Sequence, residues 1–310
     1  MTVRIVTISI LLTFLGLGLV LSQEQDQEIP KYSEEVSVSI VNLYASVYDT
    51  KGRPVLGLDQ NDFTLFINGK KQTISNFSAD VSEPVNIAFL LDVSGSMRML
   101  DKFEIAKNVI KGICASLGPE DQVALLIFAD GEVEMLVDFT KDKQAMINRM
   151  DLLKAYGGTA LRNAVAYCHR LLIEYVGKKG VVLLSDGVDT RSDLTLQQAM
   201  DTASKVELPI YAFELIRSKW VAEGTERDVD DVPLRAFAEA TGGLYFTVDP
   251  TSTQDLGKAC AKMFDDLKHQ YYIGYVPRKD SSPYGKIQLK TRDPKDKVRV
   301  RYSVSSADGG

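Results

Sequence analysis

The chain has 310 residues, 45% hydrophobic and 25% charged, an ordinary globular composition with room for one large domain and a smaller one. A formal net charge of −6 argues against nucleic acid as a partner, because phosphate binding calls for a basic face. No internal repeat or low-complexity tract is present.

Arg4 precedes the apolar run Ile5–Leu21, which gives way to Ser22-Gln23-Glu24-Gln25. This is the form of a signal peptide over residues 1–22, with Val20-Leu21-Ser22 as the cleavage site. The run also reaches the lower edge of bilayer-spanning length, so an uncleaved N-terminal anchor is the alternative. In either case the chain is expected to be exported, to the periplasm, the cell surface or the medium. Membrane contact is expected only if the segment stays uncleaved. No cysteine sits at the junction, which argues against a lipoprotein.

Residues 23–34 read as a polar linker, and 35–82 as a small β region. Val36–Asp49 alternates in strand fashion, Lys51-Gly52-Arg53-Pro54 is a turn, and Phe63–Ile67 is a second strand. Asn68-Gly69 then predicts a tight hairpin into Lys71-Gln72-Thr73-Ile74.

From residue 83 to 268 apolar strand-like runs alternate with helical patterns. The strands are Val85–Leu91, Val123–Phe128, Val133–Val137, Val181–Leu184, Ile210–Leu215 and Leu244–Val248. Helices are expected near 101–117, 141–152, 160–176, 194–206, 233–241 and 252–268. Alternation of this kind predicts an α/β fold: a doubly wound, mostly parallel six-stranded sheet. Val85–Leu91 and Val181–Leu184 are nearly continuously apolar, as central strands buried on both faces should be. Val133–Val137 carries Glu134 and reads as an edge strand.

Residues 269–306 return to β patterning, with Tyr271–Val276, Ile287–Lys290 and Val298–Tyr302 as strands. Neither flank is long enough for a core of its own. The two are expected to pack together as one β domain into which the α/β domain is inserted.

Chemistry concentrates at three strand ends and loops. Asp92-Val93-Ser94-Gly95-Ser96 follows the strand Val85–Leu91 and delivers one carboxylate and two hydroxyls at spacings of two. Gly157-Gly158-Thr159 offers a tight backbone path and a hydroxyl at a helix start. Ser185-Asp186-Gly187 follows the strand Val181–Leu184, so Asp186 holds a place equivalent to that of Asp92. Ligands of such sheets bind beyond the carboxyl ends of the strands, where strand order reverses. Two carboxylates and three hydroxyls suit a hard divalent cation, which also resolves the repulsion between the acids.

These three segments, in this order, resemble the metal-ion-dependent adhesion site of von Willebrand factor type A domains, over roughly residues 83–268. Gly57-Leu58 with Asn61-Asp62-Phe63, and Gln270–Tyr275, are similar to the flanks of an exported bacterial subgroup of von Willebrand factor A-related proteins. The resemblance implies that Ser94 and Ser96 ligate the metal directly, and that Asp92, Asp186 and Thr159 do so directly or through water. It implies Mg²⁺, with Mn²⁺ or Ca²⁺ able to stand in, and an Asp or Glu side chain of a partner protein to complete the shell. It also makes helix 252–268 the counterpart of one that shifts on binding in integrin-like relatives.

Other residues have plainer readings. Asp189 reads as a solvated turn residue, with a supporting place behind the metal ligands as the alternative, Asp130 and Asp138 as loop acids, and Glu132 and Glu134 as solvent-facing. Trp220, in the long polar connection Arg217–Val232, reads equally as a partner anchor or as a locally packed side chain. Cys114, Cys168 and Cys260 are widely spaced, fall in helical stretches and read as small buried hydrophobes, with one disulfide pair among them as the alternative in an oxidising compartment. The two histidines, His169 and His269, also fall in helical stretches, far from the context of a Ser-His-Asp hydrolase. No GxSxG, P-loop, HExxH or GxGxxG occurs. The reading is therefore a non-enzymatic, exported binding module. An envelope scaffold with a structural metal site is the alternative, and a metal-dependent hydrolase ranks third.

Overall fold

A computed structural model describes residues 40–79, 83–172, 178–204, 208–215, 233–248, 253–277 and 286–305. The signal segment 1–22, the linker 23–34 and the connection Arg217–Val232 with Trp220 lie outside the described residues. No helix among those described is long and apolar enough to cross a membrane.

The N-terminal flank contributes β1 (Ile40–Tyr48), β2 (Phe63–Ile67), β3 (Lys70–Gln72) and β4 (Asn76–Ser78). Asn68 and Gly69 both take positive φ, 50° and 76°, as the tight turn between β2 and β3 requires. The α/β part then supplies six strands: β5 (Val85–Asp92), β6 (Gln122–Ala129), β7 (Glu132–Thr140), β8 (Lys178–Ser185), β9 (Ile210–Leu215) and β10 (Tyr245–Val248). Its helices are α1 (Lys102–Ala115), α2 (Lys143–Asp151), α3 (Leu161–Leu172), α4 (Leu196–Ala203), α5 (Pro233–Ala240) and α6 (Thr253–Lys268). The C-terminal flank adds β11 (Tyr271–Tyr275), β12 (Ile287–Thr291) and β13 (Lys297–Ser305).

The six strands run in the order β10-β9-β8-β5-β6-β7. All neighbours pair in parallel except β7, which lies antiparallel on the edge. The chain starts in the middle at β5, runs out to β7, and returns to β8 on the other side of β5. Strand order therefore reverses between β5 and β8, and their carboxyl ends bound the crevice where such sheets bind ligands.

Alternation in the strands feeds two cores. Ile87, Phe89 and Leu91 of β5 face one layer, with Val109, Ile110 and Ile113 of α1, Met146 and Met150 of α2, and Met263 and Leu267 of α6. Ala88 and Leu90 face the other, with Leu161, Ala164, Val165 and Cys168 of α3, Ala199 of α4 and Phe237 of α5. The spacing of Ala106, Val109, Ile110 and Ile113 places them on one stripe of α1, which is why this segment is helical and why it packs where it does. A capping box between Thr195 and Gln198 starts α4.

The flanks meet as the sequence requires. β1 lies between β11 and β13, antiparallel to both, in a sheet ordered β13-β1-β11-β4; β12, β2 and β3 make a second. Val41, Leu43, Phe63, Leu65, Tyr271 and Ile273 form their shared core. The protein is thus a doubly wound α/β sheet inserted in a β domain built from both ends of the chain.

One buried polar cluster ties the two parts together. Asp266 of α6 is fully buried and receives Tyr48 of β1, Tyr211 of β9 at 2.8 Å, and Arg301 of β13. Arg301 also donates from Nε to the Gly242 carbonyl at 2.9 Å. Burial pushes the Asp266 carboxyl up, but the Arg301 charge and the two tyrosine hydroxyls outweigh it and hold the group below the usual carboxylate range.

All three cysteines are free and buried in α1, α3 and α6. Burial pushes the thiols of Cys114 and Cys168 up to about 12 and that of Cys260 to about 11, so they stay protonated and inert.

Candidate metal centre

From Ile87 on β5 is apolar until its last residue, Asp92, whose side chain is completely buried. Asp92 Oδ1 accepts the Ser94 amide at 2.8 Å, a local turn that swings the chain away from the sheet. Asp92 Oδ2 accepts the Ser185 hydroxyl at 2.6 Å, from the end of neighbouring β8. Ser185 Oγ in turn accepts the Gly187 amide at 3.1 Å, which sets the path of the Asp186 loop. Ser94 and Ser96 turn to each other, with their hydroxyl oxygens 3.1 Å apart.

The second segment is laced to the first through its backbone. Gly95 N donates to Gly157 O at 2.9 Å, and Tyr156 N to Val93 O at 2.6 Å. Gly157 has φ +72°, and a Cβ there would meet Asp130 Oδ2 at 2.0 Å, so glycine is required on both counts. Thr159 follows, 2% exposed. Its amide donates to Thr190 Oγ1 at 3.1 Å, and its carbonyl accepts the amides of Thr190 and Arg191 at 2.9 Å each, which binds it to the third segment.

In the third segment Asp186, 3% exposed, accepts the Val188 amide at Oδ1 over 3.2 Å and pairs at Oδ2 with Lys102 Nζ over 2.8 Å. Burial pushes the Asp92 carboxyl up to about 6; the Ser185 and Ser94 hydrogen bonds pull it down, and the nearby Asp186 charge raises it further. Among the described residues no cation pairs with Asp92. The structure thus gathers the loops of Asp92, Ser94, Ser96, Thr159 and Asp186 at one rim of the sheet.

The donors there are all oxygens, from two carboxylates and three hydroxyls, which is the chemistry that hard divalent cations take. Among the described residues no group of three or more His, Cys, Asp and Glu side chains gathers for a metal. Any shell at this rim would therefore be completed by hydroxyls and water. A fully buried carboxylate that no described cation neutralises, on loops that also carry hydroxyls, fits such an ion.

Four residues act in ways the sequence reading did not assign. Ser185 orients Asp92. Lys102 supplies a cation to Asp186 from the first turn of α1, where the helix dipole disfavours positive charge. That mismatch was the available signal. Asp189 is not a solvated turn residue: its side chain is 8% exposed and accepts the Arg162 amide at 2.9 Å and Arg162 Nε at 3.0 Å. With Ser192, which accepts the Asn163 amide at 3.1 Å, it satisfies the first amides of α3, so that task does not fall to Thr159. Asp130 is not a plain loop acid either, since its Oδ1 accepts the Gly158 amide at 2.5 Å and braces the glycine pair. Asp138 belongs to the edge strand β7 rather than to a loop, and Glu132 and Glu134 are exposed as expected. His269 lies one residue beyond α6.

A family model described as von Willebrand factor type A domain matches residues 87–188. An uncharacterized protein of Borreliella burgdorferi is 25% identical over 191 residues, 54% of this chain and 55% of the relative, so the chain spans about half the length of that relative. Among solved structures, the conserved hypothetical protein BatB from Bacteroides thetaiotaomicron is 20% identical, with a TM-score of 0.49, covering 59% of this chain and 99% of that one. The vWF domain of the type V pili tip protein Mfa5 from Porphyromonas gingivalis is 12% identical, with a TM-score of 0.47, covering 66% and 100%. The matched segment runs from the middle of β5 to just past Asp186 and so contains all three loops. Domains of this class act in protein–protein interaction and adhesion. On the strength of that match and of the sheet that carries it, the chain possesses a von Willebrand factor type A domain.

Proposed function

We propose that this protein is an exported, non-enzymatic binding module that captures a partner protein through a divalent cation, Mg²⁺ by preference, at the rim between β5 and β8. The single observation that carries this reading is Asp92. It is a fully buried carboxylate that two hydrogen bonds orient but that no described cation neutralises. A resident ion would offer its open position to a carboxylate of the partner. The residues of the chain do the rest. Ser94, Ser96 and Thr159 present hydroxyls, Asp92 and Asp186 supply the compensating charge, and Ser185 and the Ser94 amide fix the Asp92 carboxylate in place. Export rests on the segment from Arg4 to Ser22.

One observation favours a second reading, that of an envelope scaffold which works without a metal. Lys102 already pairs with Asp186. Titration calorimetry with MgCl₂ alone separates the two. Binding to the wild type that disappears in Asp92→Ala supports the module. Equal heats for both proteins, or partner capture that persists in EDTA, support the scaffold. In thermal melts, Mg²⁺ at 100 times its Kd should stabilise the wild type by about 2.7 kcal/mol and leave Asp92→Ala unmoved.

A further inference from the structure

We infer that the rim around the metal centre is a docking surface for a protein segment whose acidic residue is flanked by bulky apolar side chains. This rests on the metal-dependent reading above and narrows the class of partner.

Six large hydrophobic side chains are exposed among the described residues of the α/β domain; Leu152 and Tyr167 belong to the ends and faces of α2 and α3, and the other four lie on the loops of this rim. Met99 is 62% exposed, Tyr156 54%, Leu100 41% and Val188 36%. Each lies within a few residues of a proposed metal-site residue, on one of the three loops that converge there. Met99 and Leu100 follow Ser96, Tyr156 precedes Gly157-Gly158-Thr159, and Val188 follows Asp186. The loops are held against one another. Tyr156 N is bonded to Val93 O, and Lys102, two residues after Leu100, reaches Asp186, two residues before Val188. Leu100 has φ +60° and Asp101 φ +57°, a left-handed pair that β-carbon sterics disfavour, and the chain accepts it while leaving Leu100 in solvent. Apolar side chains gathered around a polar centre mark an interaction surface rather than the scattered exposure common to all proteins.

Charge selects the partner. With a divalent ion in place, Asp92 and Asp186 are neutralised. Of the acids on the same loops Asp130 is engaged by the Gly158 amide and Asp189 by Arg162, so that Arg98, Lys102 and Arg191 stand against Asp101 and Asp193. Arg98 Nη2 lies 3.3 Å from where a Cβ on Gly95 would sit, and Arg191 Nε 3.0 Å from a Cβ on Gly158, so both guanidiniums border the loops. Two guanidiniums beside a bound cation suit an acidic group with apolar neighbours.

The test is selection of displayed heptapeptides, a central Asp fixed and the flanks randomised, on the full chain in Mg²⁺ with elution by EDTA. Leu, Phe, Tyr or Trp should be enriched beside the Asp. A synthetic peptide of the selected sequence should bind Tyr156→Ser and Met99→Ser about tenfold more weakly than wild type, while their affinity for Mg²⁺ alone stays within about twofold. Polar flanks in the eluted pool, or full affinity in both variants, would overturn the inference and leave the metal reading intact. Absence of Mg²⁺ binding by calorimetry would remove both. Binding to phosphatidylglycerol vesicles that needs no Mg²⁺ and is lost in the same variants would assign the rim to lipid instead.

Discussion

Two buried carboxylates in this protein have opposite surroundings. Asp266 sits between the α/β sheet and the β domain with Arg301 and two tyrosine hydroxyls upon it, and its carboxyl is held below the usual range. Asp92 sits at the carboxyl end of the central strand with hydrogen bonds from a serine hydroxyl and an amide but no described cation, and its carboxyl is pushed up to about 6. Burial is the largest influence on both. What separates them is whether the fold itself supplies the countercharge. At Asp266 it does, and the carboxylate is part of the architecture. At Asp92 it does not, and a buried charge left uncompensated is the physical signature of a place where a ligand completes the structure.

The largest effect is expected at the compensated site. Arg301→Met leaves Asp266 buried and unpaired and should cost about 3–5 kcal/mol in urea denaturation. Combining it with Asp266→Leu should recover most of that loss, because a well-packed apolar pair is often as stable as a buried ion pair. A loss under about 1 kcal/mol for the single variant would show that water or another group reaches Asp266 and that the two carboxylates differ less than they do here.

At the uncompensated site the sign reverses. Asp92→Asn keeps the shape and an oxygen acceptor for Ser185 or Ser94 and removes the unmatched charge. At pH 7 and without divalent ions it should stabilise the fold by about 1–3 kcal/mol, because each unit by which the carboxyl is raised corresponds to ~1.4 kcal/mol. The same substitution should abolish Mg²⁺ binding, as is common where function is bought with local instability. If metal-free Asp92→Asn is less stable than wild type, Asp92 is a structural acid like Asp266.

Much of this was legible in the sequence, and what was not had a physical reason. The alternation of apolar runs and helical patterns located the six strands, and the carboxyl ends of β5 and β8 located the rim. The roles of Lys102, Asp130, Asp189 and Ser185 depend on tertiary approach between loops, which no local pattern encodes. Asp266 was not singled out because its partners lie 218 residues before it and 35 after it. Arg301 was hidden by the alternation that identified its strand. Val298-Arg299-Val300-Arg301 reads as one buried and one solvated face, yet Val298 and Val300 pack on the β core while Arg301 is buried on Asp266.

The same contrast predicts two separate pH windows. The raised Asp92 group makes the metal-free fold hold its proton more tightly than the unfolded chain does. Its contribution to stability is therefore present at low pH and lost as pH rises from about 4 to about 6. The depressed Asp266 group contributes above the unfolded value of about 3.9, and this is lost as pH falls below it. Urea midpoints across pH should show both limbs in the wild type and only the acid limb in Asp92→Asn. Saturating Mg²⁺, which binds the ionised site, should remove the upper limb. Midpoints that are flat between pH 4 and 6 in the metal-free wild type would count against a raised Asp92.

The smallest expected effect is the most discriminating. Tyr48→Phe removes one of the hydroxyls on Asp266 while Tyr211 and Arg301 remain, so it should cost about 1 kcal/mol. Asp266 lies on α6, which also packs against the core beneath β5, so the two carboxylates belong to one connected body. If they are nonetheless energetically independent, Tyr48→Phe lowers the urea midpoint and leaves Mg²⁺ affinity within about twofold. If loosening Asp266 shifts Mg²⁺ affinity by about fivefold or more, α6 couples the β domain to the rim, and linkage then requires Mg²⁺ to alter the exchange protection of β1 and β13 in return.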